Sequence, residues 1–182
     1  GKAYLNREYA ILKRLNDGHS DSFLPRVYVQ GSARVKGYEF PMFLGEWFEG
    51  YHEFHLSHDP EDKNNKIRVW DPESGPFFLG QDRTKALYAQ AAMILTGYYN
   101  FETFEQIGPW RHAAGDFVIK LHENDMILKL ITVRGYQSLA PNQAPDPDTI
   151  LHALLLFLIN LSIGTRLDRL DGVGDIVWSP DI

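Results

Sequence analysis

Apolar residues recur at helical spacing in two amphipathic stretches of the chain. In residues 2–15, Leu5, Tyr9 and Leu12 fall on one side of a helix, and charged residues fill most of the other positions. Residues 81–99 return to the same spacing. The pattern therefore predicts two helices that each pack one face against the body of the protein.

A third stretch, residues 148–163, is apolar nearly all the way round. Asp148 or Thr149 is placed to cap its N-terminus. A helix of this kind lies either at the centre of a domain or in a bilayer. Because the apolar part falls short of the ~20 residues that span a membrane, and His152 and Asn160 interrupt it, we expect a central buried helix and no membrane contact.

Two segments with apolar side chains, residues 24–31 and 40–48, flank a short connection that contains Gly37. A glycine-containing connection of this length is typical of a β-hairpin, so we predict an antiparallel pair. Residues 118–133 supply two further strands around a polar turn that begins at His122. The sequence therefore predicts one hairpin early in the chain and a second, shorter one near its middle.

Residues 58–80 are polar and rich in turn-forming residues, and we interpret them as an insertion or lid. The remaining pattern divides the chain into two parts. Residues 1–49 are expected to form a small antiparallel sheet with one packed helix, and residues 50–182 a larger, mostly helical lobe with a short β-hairpin. The predicted fold class is α+β, with both parts in one compact unit.

Composition narrows the function classes. Hydrophobic residues make up 44% of the 182 positions and charged residues 23%, which is the balance of a globular protein. A net charge of −6 argues against nucleic-acid binding, because neutralising phosphates requires clustered Lys and Arg. The absence of cysteine excludes disulfides and thiolate metal sites, and it fits a cytoplasmic location.

A polar cluster marks the point where a turn leads into a strand. His112, Gly115 and Asp116 lie within five positions and run directly into the apolar segment that begins at Phe117. Such a cluster suits a catalytic acid or base. An Asp at a strand entry also commonly caps a turn by accepting backbone hydrogen bonds, and a nearby His can hydrogen-bond locally. The residues alone leave both interpretations open.

The order of these elements resembles the protein-kinase-like and aminoglycoside-phosphotransferase-like superfamily. The helix around Glu8 is similar to the helix whose Glu pairs with the phosphate-binding lysine. Residues 43–50 look like the last small-lobe strand and the hinge, so the resemblance implies that the backbone near Glu46, Trp47 and Phe48 faces an adenine.

The segment at residues 112–116 resembles the His-Gly-Asp of the family's catalytic loop, which implies that Asp116 is the base and His112 its companion. The chain departs from the family at three places. No metal-binding Asn follows Asp116, and Thr132 occupies the position of the second metal-binding Asp. The Gly-rich loop and the lysine would lie upstream of residue 1.

The three differences from the family pattern determine which function the resemblance implies. Phosphoryl transfer depends on positioning and on metal ions that bridge the phosphates. The resemblance therefore implies a degenerate, non-catalytic module that binds a nucleotide or a protein partner. One alternative is an active small-molecule or protein phosphotransferase that uses Asp116, ATP and Mg²⁺, with Asp146, Asp148 or Glu123 as metal ligands. The other is a plain protein-interaction domain whose aromatic hinge forms the binding patch.

Three histidines, His52, His55 and His58, recur every third residue where the chain leaves the first hairpin. On a short helix two of them could share one face, and imidazoles suit Zn²⁺. Three cannot converge without a break in the helix, because His52 and His58 would lie well round the helix from each other. We therefore expect the solvated start of a helix instead of a metal site.

A second acidic cluster, Asp168, Asp171 and Asp175, surrounds two glycines near the end of the chain. Hard cations such as Ca²⁺ bind several carboxylates around a glycine turn, but the full calcium-loop pattern with its terminal Glu is not met. We expect instead that Arg166 and Arg169 pair with these aspartates on an exposed helix end.

Overall fold

The computed structural model describes residues 2–19, 23–62, 64–108, 115–122, 125–140 and 143–179. Within these ranges the α-helices are α1 (Lys2–Gly18), α2 (Gln81–Gly97) and α3 (Pro147–Arg166). The strands are β1 (Val27–Val35), β2 (Tyr38–Gly45), β3 (Phe54–His58), β4 (Asn65–Val69), β5 (Phe77–Phe78), β6 (Glu105–Ile107), β7 (Phe117–Leu121), β8 (Met126–Leu130), β9 (Tyr136–Ser138), β10 (Leu167–Arg169) and β11 (Ile176–Trp178). All strand pairs are antiparallel, so the α+β class is confirmed.

The N-terminal helix and hairpin agree with the sequence pattern. β1 and β2 are joined by a tight turn in which Lys36 and Gly37 have φ values of 51° and 84°. Positive φ at both central residues is the turn type whose twist suits a two-residue hairpin. α1 packs on the hairpin through Tyr9, whose ring centroid lies 5.9 Å from that of Phe43.

Residues 58–80, interpreted above as an insertion or lid, contribute to the main core. β3, β4 and β5 form a three-stranded antiparallel sheet, and Ile67, Val69 and Leu79 are buried in the same cluster as residues of α1, α2 and β7. The helix expected around the three histidines is wrong, because this segment forms β3. Phe54 and Leu56 are buried on that strand, and the apolar positions therefore follow a period of two.

The second hairpin, β7–β8, lies at the centre of the core. Phe117, Ile119, Leu128 and Leu130 are at most 1% exposed. An isolated antiparallel bridge between His52 and Ile119 joins this hairpin to the chain that leaves β2. β6 pairs with β9, which follows β8 in sequence. The hairpin therefore links the first part of the chain with the rest.

α3 is not the central buried helix that the sequence predicts. It packs through Ala153 and Phe157 on a small second core, where the Phe157 and Tyr99 ring centroids are 4.6 Å apart. By length and composition α3 could cross a membrane, and 17% of its most apolar window is buried. The prediction was wrong because an apolar helix is buried on every side only where neighbouring elements cover every side. The described part of the chain covers one side of α3.

The larger lobe is also less helical than expected. After residue 50 the described chain contains α2 and α3 together with nine short strands. The segment around Arg169, expected to be an exposed helix end, forms β10 of the β10–β11 hairpin instead. Strands of two or three residues are too short to produce a recognisable alternation of apolar and polar positions.

Candidate functional site

Asp116 lies at the entry to β7 with its carboxylate buried against Arg134. Its Oδ1 accepts hydrogen bonds from Arg134 Nη2 at 2.6 Å and Nε at 3.1 Å, and the residue is 3% exposed. Gly115, immediately before it, has φ of 80°, a conformation that side chains with a Cβ rarely adopt. The Asp116 carbonyl also accepts from Ile131 N–H at 2.8 Å, which fixes the base of the hairpin.

Glu8 and Asp116 are brought to the same short segment after β8. The Thr132 hydroxyl donates a hydrogen bond to Glu8 Oε1, while Arg134, two residues further on, binds Asp116. Val133 between them is fully buried, so the segment has a fixed position in the core. Glu8 and Asp116, the two residues compared above with the paired Glu and the catalytic base of kinases, therefore both hydrogen-bond to residues 132–134.

Residues 46–48, compared above with a hinge, form a connection without regular secondary structure after β2. The Glu46 N–H donates to the Arg26 carbonyl at 2.7 Å, and the Glu46 carboxylate accepts from Arg26 N–H at 3.1 Å. The Phe48 carbonyl accepts from Tyr51 N–H at 3.3 Å. Trp47 is 86% exposed. The three predicted adenine-facing residues are thus contiguous, with Glu46 anchored and Trp47 presented to solvent.

Lys129 on β8 lies against this connection. Its Nζ is 5.6 Å from the centroid of the Phe48 ring and 5.8 Å from that of Phe23, within range of cation–π attraction. Burial lowers the pKa of Lys129, and the Glu46 carboxylate opposes that shift. A cation with apolar neighbours and a nearby carboxylate therefore lines the inner side of the hinge-like segment.

Two cavities flank these groups. A cavity of about 610 Å³ beside the hinge-like segment has three aromatic side chains in its walls together with three charged ones, and these are Trp47, Tyr51, Trp70, Glu53, Arg68 and Asp71. A larger one, of about 750 Å³, lies between β6, β9, α3 and β10, and Arg134 forms part of its wall. Both are of the size of small-molecule sites, which span ~300–1,000 Å³.

The three histidines do not converge. His52 Nε2 lies 4.0 Å from Asp71 Oδ2, whereas His55 points towards Asp168, with Nδ1 and Oδ2 3.8 Å apart. His55 Nδ1 is buried without a hydrogen-bond partner. In the part of the chain that the structure describes, no group of three or more His, Asp or Glu side chains could hold a metal ion.

The C-terminal aspartates bind the β3 strand instead of the neighbouring arginines. Asp168 Oδ2 accepts from Leu56 N–H at 2.7 Å, and Asp171 Oδ1 accepts from the Ser57 hydroxyl at 2.6 Å. Arg169 donates to the Gly174 carbonyl. The expected Arg–Asp pairing on an exposed helix end is therefore wrong at these positions, because the segment folds back onto β3.

Sequence reasoning missed Arg134 as the partner of Asp116. The available signal was physical: an Asp that enters a buried strand needs a cation or several donors, because an unpaired buried carboxylate is costly. Arg134 follows the partner strand of the same hairpin, four residues after Leu130, which pairs with Phe117. His112 and Glu123 lie outside the described residues, so their predicted roles stay predictions.

Asp146 and Asp148, proposed above as alternative metal ligands, lie at the start of α3. Asp146 caps the helix by accepting from the Asp148 and Thr149 N–H groups, and these bonds lower the pKa of its carboxyl.

No protein-family model matches the chain, and comparisons with curated proteins and with solved structures returned no match.

Proposed function

We infer that this chain is a degenerate kinase-like module that binds a nucleotide and does not transfer its phosphate. The order of α1 with Glu8, the β1–β2 hairpin, the hinge-like segment, α2 and Asp116 at the entry to the β7–β8 hairpin supports the likeness, although the β3–β5 sheet precedes α2 and β6 follows it. Thr132 follows that hairpin at the position where the family carries a metal-binding Asp.

The ion pair between Asp116 and Arg134 is the observation that argues against catalysis. A catalytic Asp in phosphoryl transfer must accept a proton from the substrate hydroxyl, next to metal ions that bridge the phosphates. Here a guanidinium occupies that side of the carboxylate, and Asp116 is 3% exposed. Because the Arg134 guanidinium already donates two hydrogen bonds to Asp116 Oδ1, its positive charge disfavours a metal ion at the same oxygen.

Nucleotide binding is assigned to the cavity beside Trp47. The rings of Trp47, Tyr51 and Trp70 in its walls suit stacking on a purine, which contributes ~1–3 kcal/mol per base where it has been measured on single strands. Arg68 lines this cavity and attracts the phosphates, Glu53 and Asp71 repel them, and in the described part of the chain no group of three or more His, Asp or Glu side chains could hold a metal ion. The binding should therefore be moderate in affinity and independent of divalent metal.

A thermal-unfolding screen with ATP and GTP, with Mg²⁺ and with EDTA, tests the proposal. A ligand at about 100 times its Kd stabilises by ~2.7 kcal/mol, so even moderate binding raises the midpoint. We expect equal stabilisation with and without metal, reduced in Trp47→Ala. Val173→Ala, at a residue 87% exposed, is the matched control and should behave as wild type. Stabilisation that requires Mg²⁺ would contradict the proposal.

A protein-interaction function has one observation in its favour. Along the β1–β2 hairpin Tyr28, Tyr38 and Leu44 are each at least 60% exposed, continuous in sequence with Trp47. Exposed apolar patches of this kind commonly mark interaction sites. If no nucleotide stabilises the protein in the screen, this hairpin becomes the binding surface to test.

A further inference from the structure

The exposed side of α3 carries an aliphatic surface that His152 and Ser162 interrupt. Six side chains, each at least 45% exposed, make up this surface, called here the α3 face: Leu151, Leu155, Leu156, Leu158, Ile159 and Ile163. The opposite side of the helix holds its buried residues, Ala153 and Phe157 among them. A water-soluble protein rarely leaves so many adjacent aliphatic side chains uncovered.

The charged residues of α3 lie on the midline of this face. At about 3.6 residues per turn, the separation between Asp148 and Arg166 corresponds to about five full turns, so both point in the same direction. That direction is opposite Phe157 and bisects the α3 face. The surface therefore has an acid at its N-terminal end, a base at its C-terminal end and aliphatic side chains between them.

This pattern is self-complementary when two copies pack antiparallel. About a two-fold axis at the level of Phe157, Asp148 of one copy lies level with Arg166 of the other. Leu155 lies level with Ile159, and the further level pairs are Leu151 with Ile163, Leu156 with Leu158, and His152 with Ser162. Leu155 and Ile159, which lie close to the midline, face each other across the contact, as do Asp148 and Arg166, whereas the other level pairs lie on opposite flanks of it.

We propose that the α3 face binds the α3 face of a second copy of this chain in an antiparallel, two-fold symmetric dimer. A two-fold interface uses the same patch on both subunits, so the patch must be complementary to itself. Antiparallel packing also aligns the N-terminus of each helix with the C-terminus of the other, where the helix dipoles attract. The inference stands independently of nucleotide binding.

Residues next to the C-terminal end of the face enlarge the apolar surface. The Arg166 guanidinium lies 5.6 Å from the centroid of the Trp178 ring, and Trp178 and Ile176 are 48% and 59% exposed. A 20-residue helix is ~30 Å long and ~10 Å across, so the face alone covers ~300 Å² in projection. That is below the ~800 Å² per partner of a standard interface. We therefore expect a reversible dimer whose population depends on concentration.

A lipid surface fits the α3 face less well. Helices that lie in a membrane interface are rich in Lys and Arg, which attract anionic headgroups. α3 contains no Lys and a single Arg, and its first turn carries Asp148. The charge pattern therefore favours the second copy over the membrane.

Engineered cysteines give the sharpest test, because the chain has no cysteine of its own. A disulfide requires Cα atoms ~4.4–6.8 Å apart. In the antiparallel dimer Asp148 and Arg166 of the partner face each other, whereas two copies of Asp148 are ~27 Å apart along the helix. We expect a disulfide dimer when Asp148→Cys is mixed with Arg166→Cys, and none from Asp148→Cys alone. Cross-linking of Asp148→Cys to itself would overturn the antiparallel arrangement.

Sedimentation of the full chain over a concentration series provides the second readout. We expect wild type to pass from monomer to dimer, and Leu155→Asp combined with Ile159→Asp to stay monomeric with unchanged circular dichroism. The matched control is Met93→Asp on α2, at a residue 54% exposed, which should dimerise as wild type does. Wild type that remains monomeric at every concentration, or that binds anionic vesicles without self-association, would overturn the proposal.

Discussion

Two aspartates of this protein are equally buried but are held in different ways. Asp116 and Asp168 are both 3% exposed. Asp116 is bound by the side chain of Arg134, which is itself 43% exposed. Asp168 accepts from the backbone N–H groups of Leu56 and Arg169, at 2.7 Å each, and anchors the C-terminal hairpin to β3.

The difference is one between a carboxylate held by the backbone and a carboxylate held by a side chain. Backbone donors cannot be removed by a side-chain rotation, so Asp168 has one state and serves packing. A side-chain partner can be removed by a single substitution while the backbone stays in place, so the contribution of Arg134 to holding Asp116 can be measured directly. Burial alone therefore does not show how an aspartate is held, whereas the identity of its donors does.

The largest expected effect comes from Asp168→Ala. This change leaves the buried Leu56 N–H without an acceptor, so we expect the free energy of unfolding to fall by ~3 kcal/mol. Urea denaturation measures this directly. Asp175→Ala, at an exposed residue of the same hairpin, is the control and should change stability by less than ~0.5 kcal/mol. Equal losses of unfolding free energy in the two variants would contradict a structural role for Asp168.

Arg134→Met should have the next largest effect. Breaking a buried ion pair by removing one partner costs ~3–5 kcal/mol, and the partial exposure of Arg134 reduces this to ~2 kcal/mol. Arg134→Lys keeps the charge but not the two-nitrogen contact, so its loss should be smaller. Chemical denaturation of both variants checks the order. If Arg134→Lys loses as much stability as Arg134→Met, the two-nitrogen contact of the guanidinium, and not its charge, holds Asp116.

Thr132→Val should cost ~1 kcal/mol, because it removes the hydroxyl that donates to Glu8 in a half-buried site. Thr103→Val is the matched control, since the Thr103 hydroxyl donates to Glu105 on the surface, and its cost should be lower. Thermal unfolding of both variants makes the comparison. If Thr132→Val is neutral, Glu8 is not held by this segment.

The smallest effect should come from a third kind of aspartate, the exposed cap Asp146. Hydrogen bonds to the start of α3 lower the pKa of its carboxyl below the ordinary 3.8. A depressed folded-state pKa gives stability that is present above 3.8 and is lost as pH falls through the folded value. We therefore expect Asp146→Ala to be less stable than wild type at neutral pH, with the difference disappearing at acid pH. A difference that persists in acid would contradict the cap.

Local patterns predicted the parts of the fold that depend on neighbouring residues. α1, the β1–β2 hairpin, α2 and the β7–β8 hairpin all followed from spacing and turn residues within about twenty positions of sequence. The short strands β3, β10 and β11 did not, because their pairing partners decide their conformation. The predicted burial of α3 failed for a related reason, since composition describes the helix and not its neighbours.

The candidate site was predictable only in part. Asp116 and the hinge-like segment came from motifs that are contiguous in sequence. Arg134 as partner of Asp116, Thr132 as donor to Glu8, and the wall that Trp70 adds beside Trp47 depend on tertiary proximity. A motif names a position, whereas the groups around it decide whether its chemistry is possible.

Magnesium-dependent turnover of ATP is the measurement that tests the central claim most directly. If Arg134 occupies the carboxylate of Asp116, wild type should show no turnover above a no-protein control, and Asp116→Asn should behave identically. Nucleotide binding in the thermal-unfolding screen should persist in the same samples. Turnover by wild type that requires Mg²⁺ and is abolished by Asp116→Asn would contradict the account.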